Sequence, residues 1–303
     1  MIKDKQGHLA AMFTILVWGT TFIATKILLV DFAPVEILFI RFLIGYLALW
    51  IAYPKRFHTR KGEGKYFVLA GIFGVTLYFL LENIALTYTL ASNVGVIVAI
   101  SPFFTALFSW LFFQDQKPNQ YFLIGFLLAM AGVYLISTNG QSVFEIHPAG
   151  DLLALLAAIV WALYSNTTRK IGEFHYATIP LTRRIFFFGL VFMTPALFMM
   201  DFQPEIAGFM KIEVLLNFMF LGLGASALCF VTWNYALRSL GSVRCSVYIY
   251  LVPVITVVTS MLVLQEEVTI YTWIGIILTL IGLMLSQRKK GTEYGKRKMC
   301  HGN

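Results

Sequence analysis

Apolar residues gather along this chain in long runs instead of marking one face of each helix, and short polar connectors separate the runs. A membrane crossing takes about 20 mainly apolar residues, because lipid lets a helix be apolar all round. Runs of that kind fall at roughly 9–29, 34–53, 66–87, 92–113, 120–137, 151–168, 177–199, 214–236, 244–264 and 269–287. The third and fourth are nearly continuous, and Ser92, Asn93 and Gly95 supply the turn between them. The eighth and ninth meet through Arg238-Ser-Leu-Gly-Ser. The first run follows the charged stretch Met1–Gln6, is too long for a signal segment and lacks a small-x-small cleavage site. It reads as the first spanning helix. The pattern predicts an all-α integral membrane protein with ten transmembrane helices.

Composition agrees with the pattern. Of the 303 residues, 59% are hydrophobic and only 13% charged, against about 25% charged in a soluble domain. The net charge of +8 does not indicate nucleic acid, since the basic residues sit in short connectors and form no basic face. Their distribution sets an orientation instead. With the N-terminus inside, eighteen of the 23 Lys and Arg residues fall in inner segments and Lys211 alone in an outer loop. Lys26, Arg41, Arg183 and Arg184 lie within spans. This predicts a multi-pass protein of the cytoplasmic membrane with both termini in the cytoplasm. Cys229, Cys245 and Cys300 have no metal-ligand or disulfide spacing, and the five histidines form no paired motif. No metal and no cofactor are expected.

The two halves of the chain resemble each other. Asn83-Ile-Ala-Leu matches Asn234-Tyr-Ala-Leu, Pro102 matches Pro253 and Asp115 matches Glu266, all at an offset of 151. Gly125 and Gly132 match Gly275 and Gly282 at 150, while Trp18 matches Trp161 and Arg41 matches Arg184 at 143. The expected organisation is a first repeat over 1–140, a second over 141–290 and a basic cytoplasmic tail over 291–303. Each repeat holds five helices, an odd number, so the second copy enters the membrane from the opposite side. Such inverted-topology repeats belong to secondary transporters that work by alternating access.

Trp18-Gly-Thr-Thr-Phe resembles the opening motif of the EamA family in the drug/metabolite transporter superfamily. So does Gly150-Asp-Leu-Leu-Ala-Leu-Leu-Ala-Ala-Ile-Val-Trp-Ala-Leu-Tyr at the start of the second half. Leu240-Gly-Ser-Val-Arg-Cys-Ser, Leu251-Val-Pro-Val and Glu266 are similar to the family's ninth-helix signature. The resemblance runs over about 8–287. It implies a ten-helix secondary carrier, often an exporter of amino acids, metabolites or drugs, and it does not name a cargo.

Charges inside a membrane mark candidate function. Lys26, Arg41 and Glu82 fall at one depth near the outer ends of their helices, which allows an Arg41–Glu82 pair with Lys26 nearby. Either Glu82 is a gate or proton-coupling carboxylate, or the pair is structural and Lys26 snorkels to the headgroups. Arg183 and Arg184, the latter the counterpart of Arg41, are gating residues or interface anchors. Glu82 corresponds to Trp233, so the carboxylate belongs to one half only. Trp18, Thr21, Tyr78, Asn83, Trp161, Tyr164, Ser165, Trp233 and Asn234 complete the candidate substrate path, as cavity lining or as helix contacts. Tyr78 with Glu82, and Trp161 with Ser165, stand four residues apart and share a helix face. A cavity so lined suits a zwitterionic or aromatic metabolite. Tyr248 reads as an interfacial belt residue. Pro102 and Pro253 are candidate hinges, or static kinks. Gly125, Ala129, Gly132, Gly275 and Gly282 suit close helix packing, each set closing the last helix of its repeat onto its neighbours.

Three classes compete. A secondary transporter fits best, with a small-molecule substrate, the bilayer as its other partner, and a monomer or homodimer as its form. A membrane-embedded enzyme acting on a lipid or lipid-linked substrate would need a catalytic constellation that the spans do not supply. A receptor does not explain the repeat. No Gly-x4-Gly-Lys-Ser/Thr motif is present, so the chain carries no ATP engine of that kind.

Overall fold

The computed structural model describes residues 2–88, 91–113, 117–138, 148–200, 202–203, 209, 211–263 and 269–288. The described residues form helices joined by short links, with no strand among them. In chain order the helical segments are α1 (Ile2–Leu28), α2 (Pro34–Ala52) and α3 (Gly64–Gly71, Ile72–Leu77 and Tyr78–Tyr88 in unbroken succession). Then come α4 (Ala91–Val98 and Ser101–Phe113), α5 (Gln120–Thr138), α6 (Pro148–Gly172) and α7 (Thr178–Met199). Next are α8 (Ile212–Met219, Phe220–Leu228 and Cys229–Leu240) and α9 (Ser242–Ser246, Val247–Tyr250 and Leu251–Val263). The last is α10 (Ile270–Ser286). Eight of these, α2 to α9, are long and apolar enough to cross a membrane; α10 is apolar but only 17 residues long, and α1 runs for 27 residues. Large apolar side chains such as Leu47, Trp50, Leu127 and Met284 are exposed on the outside. A surface of that kind is matched to hydrocarbon.

Local chemistry sets the boundaries. At the start of α2, Ala33 is extended, Pro34 occupies the first turn, and the Glu36 carboxylate accepts the Ala33 N–H at 2.7 Å. Glu36 also accepts the Gln203 N–H at 2.9 Å, so one buried carboxylate ties the α7–α8 connection to α2. α8 ends at Gly241, whose φ of 84° reverses the chain into α9 within one residue. Ser92, Asn93 and Gly95 are helical residues of α4, not the expected turn. The link between α3 and α4 falls outside the described residues, as do Asp115, Glu266 and the tail from 291.

Helix packing has a reciprocal pattern. α1 packs on α8 and α9; in the same way α6 packs on α3 and α4. α2 packs on α8 as α7 packs on α3, while α2 also meets α7 and α5 meets α10. α3 and α8, which occupy matching places in this pattern, each contain a π-helical segment, Ile72–Leu77 and Phe220–Leu228. A π segment disturbs the regular helical ladder and tends to mark functional regions.

The small residues seal α5 to α10 directly. A Cβ on Gly132 would lie 2.5 Å from the Gly275 carbonyl oxygen, and one on Gly282 would lie 2.5 Å from the Gly125 carbonyl oxygen. The two sets therefore close the last helix of one half onto that of the other. Pro102 and Pro253 lie inside α4 and α9, where the regular helix is interrupted. Each stands in the first turn of a helical piece that follows irregular backbone, after Ala99–Ile100 in α4 and after the 3₁₀ turn Val247–Tyr250 in α9. A missing N–H costs little there. Tyr248 is buried and shares a 2.7 Å hydrogen bond with His8 Nδ1 of α1, so it is a packing residue instead of a belt residue.

Gly132→Ala should lower the thermal unfolding temperature in detergent, with an overpacking cost of about 1–3 kcal/mol. Gly95→Ala, where the nearest atom is Ser137 Oγ at 4.0 Å, should leave it unchanged. Equal stability of the two variants would refute the close α5–α10 contact.

Candidate functional site

The candidate residues from both halves meet at the centre of the fold. Trp18 of α1 is in ring contact with Trp161 of α6 (5.6 Å between centroids) and with Phe230 and Trp233 of α8 (5.6 and 5.2 Å). Trp161 also contacts Tyr78 of α3 at 4.7 Å and Tyr164 at 5.0 Å. Phe42 of α2 and Phe186 of α7 reach the same cluster through Phe230, at 5.7 and 5.1 Å. Trp233 and Tyr164 are fully buried, and Trp161 is 5% exposed. The aromatic side chains expected to line a cavity are thus closed on one another. Their tilted and edge-to-face geometry is the one ring quadrupoles favour.

Polar groups thread this cluster. The Tyr164 hydroxyl donates to Asn234 Oδ1 at 2.7 Å, and Asn234 Nδ2 donates to Thr182 Oγ at 3.0 Å, linking α6, α8 and α7. Trp18 Nε1 donates to the Ala225 carbonyl at 2.9 Å, within the π segment of α8. Thr21 donates to the Trp18 carbonyl of its own helix, so its hydroxyl is occupied locally. The Tyr78 hydroxyl donates to Glu82 at 2.9 Å, and Asn83 is half-buried beside them on α3. Three buried donors at this centre have no partner: Trp161 Nε1, Trp233 Nε1 and Ser165 Oγ. A buried N–H without an acceptor costs about 1–3 kcal/mol. Two such indole N–H groups, on rings 6.4 Å apart, with the Ser165 hydroxyl four residues along α6 from Trp161, form a set of hydrogen-bond donors contributed by two helices.

The charged candidates are arranged differently from the simple pair expected. Arg41 makes no ion pair within 4.0 Å to Glu82, although the two lie within electrostatic reach. Its Nε donates to Ser226 Oγ at 3.0 Å and its guanidinium lies 5.3 Å from the ring centres of both Phe42 and Phe79. Such contacts are how a buried guanidinium replaces hydration. The side chain of Lys26 lies outside the described residues. Arg183 is buried and donates to the carbonyls of Tyr53 and Lys55, pinning the α2–α3 connection. Arg184 lies remote from the aromatic centre, with its guanidinium 4.9 Å from the Phe188 ring.

Sequence reasoning passed over Ser226, Thr182, Phe230 and Glu36. Glu36 had a signal, a proline followed two residues later by an acid at a helix start. The hydroxyls had none, because Ser and Thr occur throughout apolar helices.

Comparison with known proteins fits this geometry. The model of the EamA-like transporter family matches the chain twice, over residues 5–138 and 148–287. An uncharacterized transporter from Archaeoglobus fulgidus is 30% identical over 292 residues, covering 95% of this chain and 99% of that protein. A protein of Streptantibioticus cattleyicolor named as a probable terminal-alkyne amino-acid exporter is 26% identical, covering 95% of each chain. A solved crystal structure shares the fold with a TM-score of 0.75 at 21% identity, over 93% of this chain and 96% of that one. The family consists of transporters, so the membrane-enzyme alternative falls away. The chain belongs to the EamA-like transporter family.

Proposed function

We propose that this protein is a secondary active transporter that exports small metabolites, amino acids or drugs across the cytoplasmic membrane by alternating access. The observation that carries the reading is the set of unpartnered buried donors, Trp161 Nε1, Trp233 Nε1 and Ser165 Oγ, where α6 and α8 meet. A solute that offers a carboxylate or another strong acceptor satisfies them when the cluster opens around it. The aromatic faces of Trp18, Tyr78 and Trp161 suit its apolar or cationic part. Glu82, reached from Trp161 through Tyr78, is the acceptor for an amine or the carrier of a coupling proton. An amino-acid-like zwitterion meets all of these demands, and the name of the Streptantibioticus relative supports that class.

In this reading α1 and α10 cross the membrane along with the eight longer apolar helices. That gives ten crossings in two inverted repeats over 1–140 and 141–290, with both termini in the cytoplasm. The double family match, the reciprocal packing and the paired π segments support it. The one-sided distribution of Lys and Arg supports the orientation. Pro102 and Pro253 then act as hinges, because each follows backbone that is already irregular and able to bend. Glu82 couples the cycle to protons, with Arg41 tuning it from a distance.

Two variants test the site in proteoliposomes with a panel of labelled amino acids. Glu82→Gln should abolish accumulation driven by a proton gradient while downhill exchange persists; unchanged accumulation rules out the coupling role. Trp161→Phe keeps the ring and removes the N–H. It should raise KM about tenfold or more, the loss expected for one hydrogen bond to a charged acceptor. An unaltered KM would remove the indole from the binding site.

A further inference from the structure

A second polar site stands away from the aromatic centre, at the end of α2 and the beginning of α7. A cleft of about 490 Å³ opens there beside the α2–α3 connection. Its walls bring together Lys55, Arg56, Arg183 and Arg184 with His58, and no carboxylate lines it. The cations are held in place by the chain itself. Arg183 binds the carbonyls of Tyr53 and Lys55, and Phe57 packs on Phe67 and Tyr176 at 5.7 and 4.9 Å. The connection is therefore fixed at both its start and its middle, and the exposed side chains of Lys55 and Arg56 stand over the cleft.

Arg184 is the informative member. It matches Arg41 at the repeat offset, and Arg41 satisfies its Nε on Ser226. The position that matches Ser226 is Val75, which has no hydroxyl. Arg184 Nε is buried with no partner, and the guanidinium lies toward Phe187 and Phe188. The same arginine is closed over in one half and left open to a cleft in the other. A guanidinium with an unpartnered Nε–H among further cations, with no carboxylate lining the cleft, is a site for an anion with several oxygens.

The surroundings identify the source of that anion. Trp50 and Phe187 line the cleft, and both are among the exposed apolar residues of the outer surface, together with Leu47, Ile51 and Val191. The cleft thus has a cationic floor and a wall continuous with the surface that faces hydrocarbon. We propose that it binds the phosphate of an anionic phospholipid. The headgroup is held by Arg184, Lys55 and Arg56, and an acyl chain lies along Trp50 and Phe187. Basic pockets between membrane helices hold anionic headgroups in this way.

The test uses the full-length protein in detergent with phosphatidylglycerol, phosphatidylcholine or inorganic phosphate. Lipid retention is read by native mass spectrometry, and stability by thermal unfolding. Phosphatidylglycerol should bind and raise the unfolding temperature, while phosphatidylcholine should do neither. Arg184→Gln should weaken retention roughly fivefold or more, and the exposed-loop variants Lys55→Gln and Arg56→Gln, which leave the fold intact, roughly fivefold each. Arg288→Gln, a basic residue elsewhere on the surface, should change nothing. Retention that is equal in the cleft variants and in Arg288→Gln would overturn the proposal, reducing it to general attraction between cations and anionic lipid. Stabilisation by inorganic phosphate without any by phosphatidylglycerol would also overturn it, in favour of a soluble phosphorylated ligand.

Discussion

Hydrocarbon offers no hydrogen bonds, so a chain that crosses it must satisfy its polar groups from within. That demand organises this molecule from the backbone upward. It makes every span a helix, and it favours buried side-chain donors that find an acceptor on their own or a neighbouring helix. Trp18 finds the Ala225 carbonyl, Arg41 finds Ser226, and Tyr164 reaches Asn234, which in turn reaches Thr182. These bonds run between α1 and α8, α2 and α8, and α6, α8 and α7, so polar satisfaction and helix placement are the same problem. Against such a background the unpartnered groups stand out. Trp161, Trp233 and Ser165 have such groups at the aromatic centre and Arg184 has one at the basic cleft, while Ser101, Thr168, Tyr250 and Ser286 have them elsewhere.

The relation between the halves gives those exceptions their meaning. Under the proposed repeat, a difference between matched positions isolates what one half does alone. Trp18 and Trp161 match, but the first donates to a carbonyl and the second has no acceptor. Arg41 and Arg184 match, but the first is covered by two phenylalanines and a serine while the second borders a cleft. Glu82 has Trp233 as its counterpart, and both face the same cluster of rings through Tyr78 and Trp161. In the proposed reading the scaffold is shared between the halves, and the chemistry lies in the departures from it.

Much of this fold could be read from the chain. Hydropathy located the helices because a crossing leaves a long apolar run. The boundary at Arg238-Ser-Leu-Gly-Ser was legible because only glycine accepts the positive φ found at Gly241. The start of α4 was not, since Ser92 and Asn93 read as turn residues yet sit in a helix. Propensity is a weak guide where helix is the only way to satisfy the backbone. At the site, Trp18, Trp161, Tyr164 and Trp233 were identifiable as large amphipathic residues and Asn234 as a hydrogen-bonding group, and they do converge. The partner of Arg41 was not identifiable. A charge suggests another charge, whereas the structure supplies a hydroxyl and two ring faces, which leave no mark in sequence. The prolines were conspicuous, but their place in the first turn of a helical piece depends on irregular backbone before them, which residue type alone does not specify.

The central claim is that the closed aromatic core opens to each side of the membrane in turn. Ser165 is the residue that reports on it most directly, being fully buried and four residues from Trp161. A Ser165→Cys variant, in a background without Cys229, Cys245 and Cys300, can be exposed to a membrane-impermeant thiol reagent from either face of oriented vesicles. Alternating access should give labelling from both faces, reduced on both by a transported solute. Labelling from one face only, or from neither while transport continues, would contradict it.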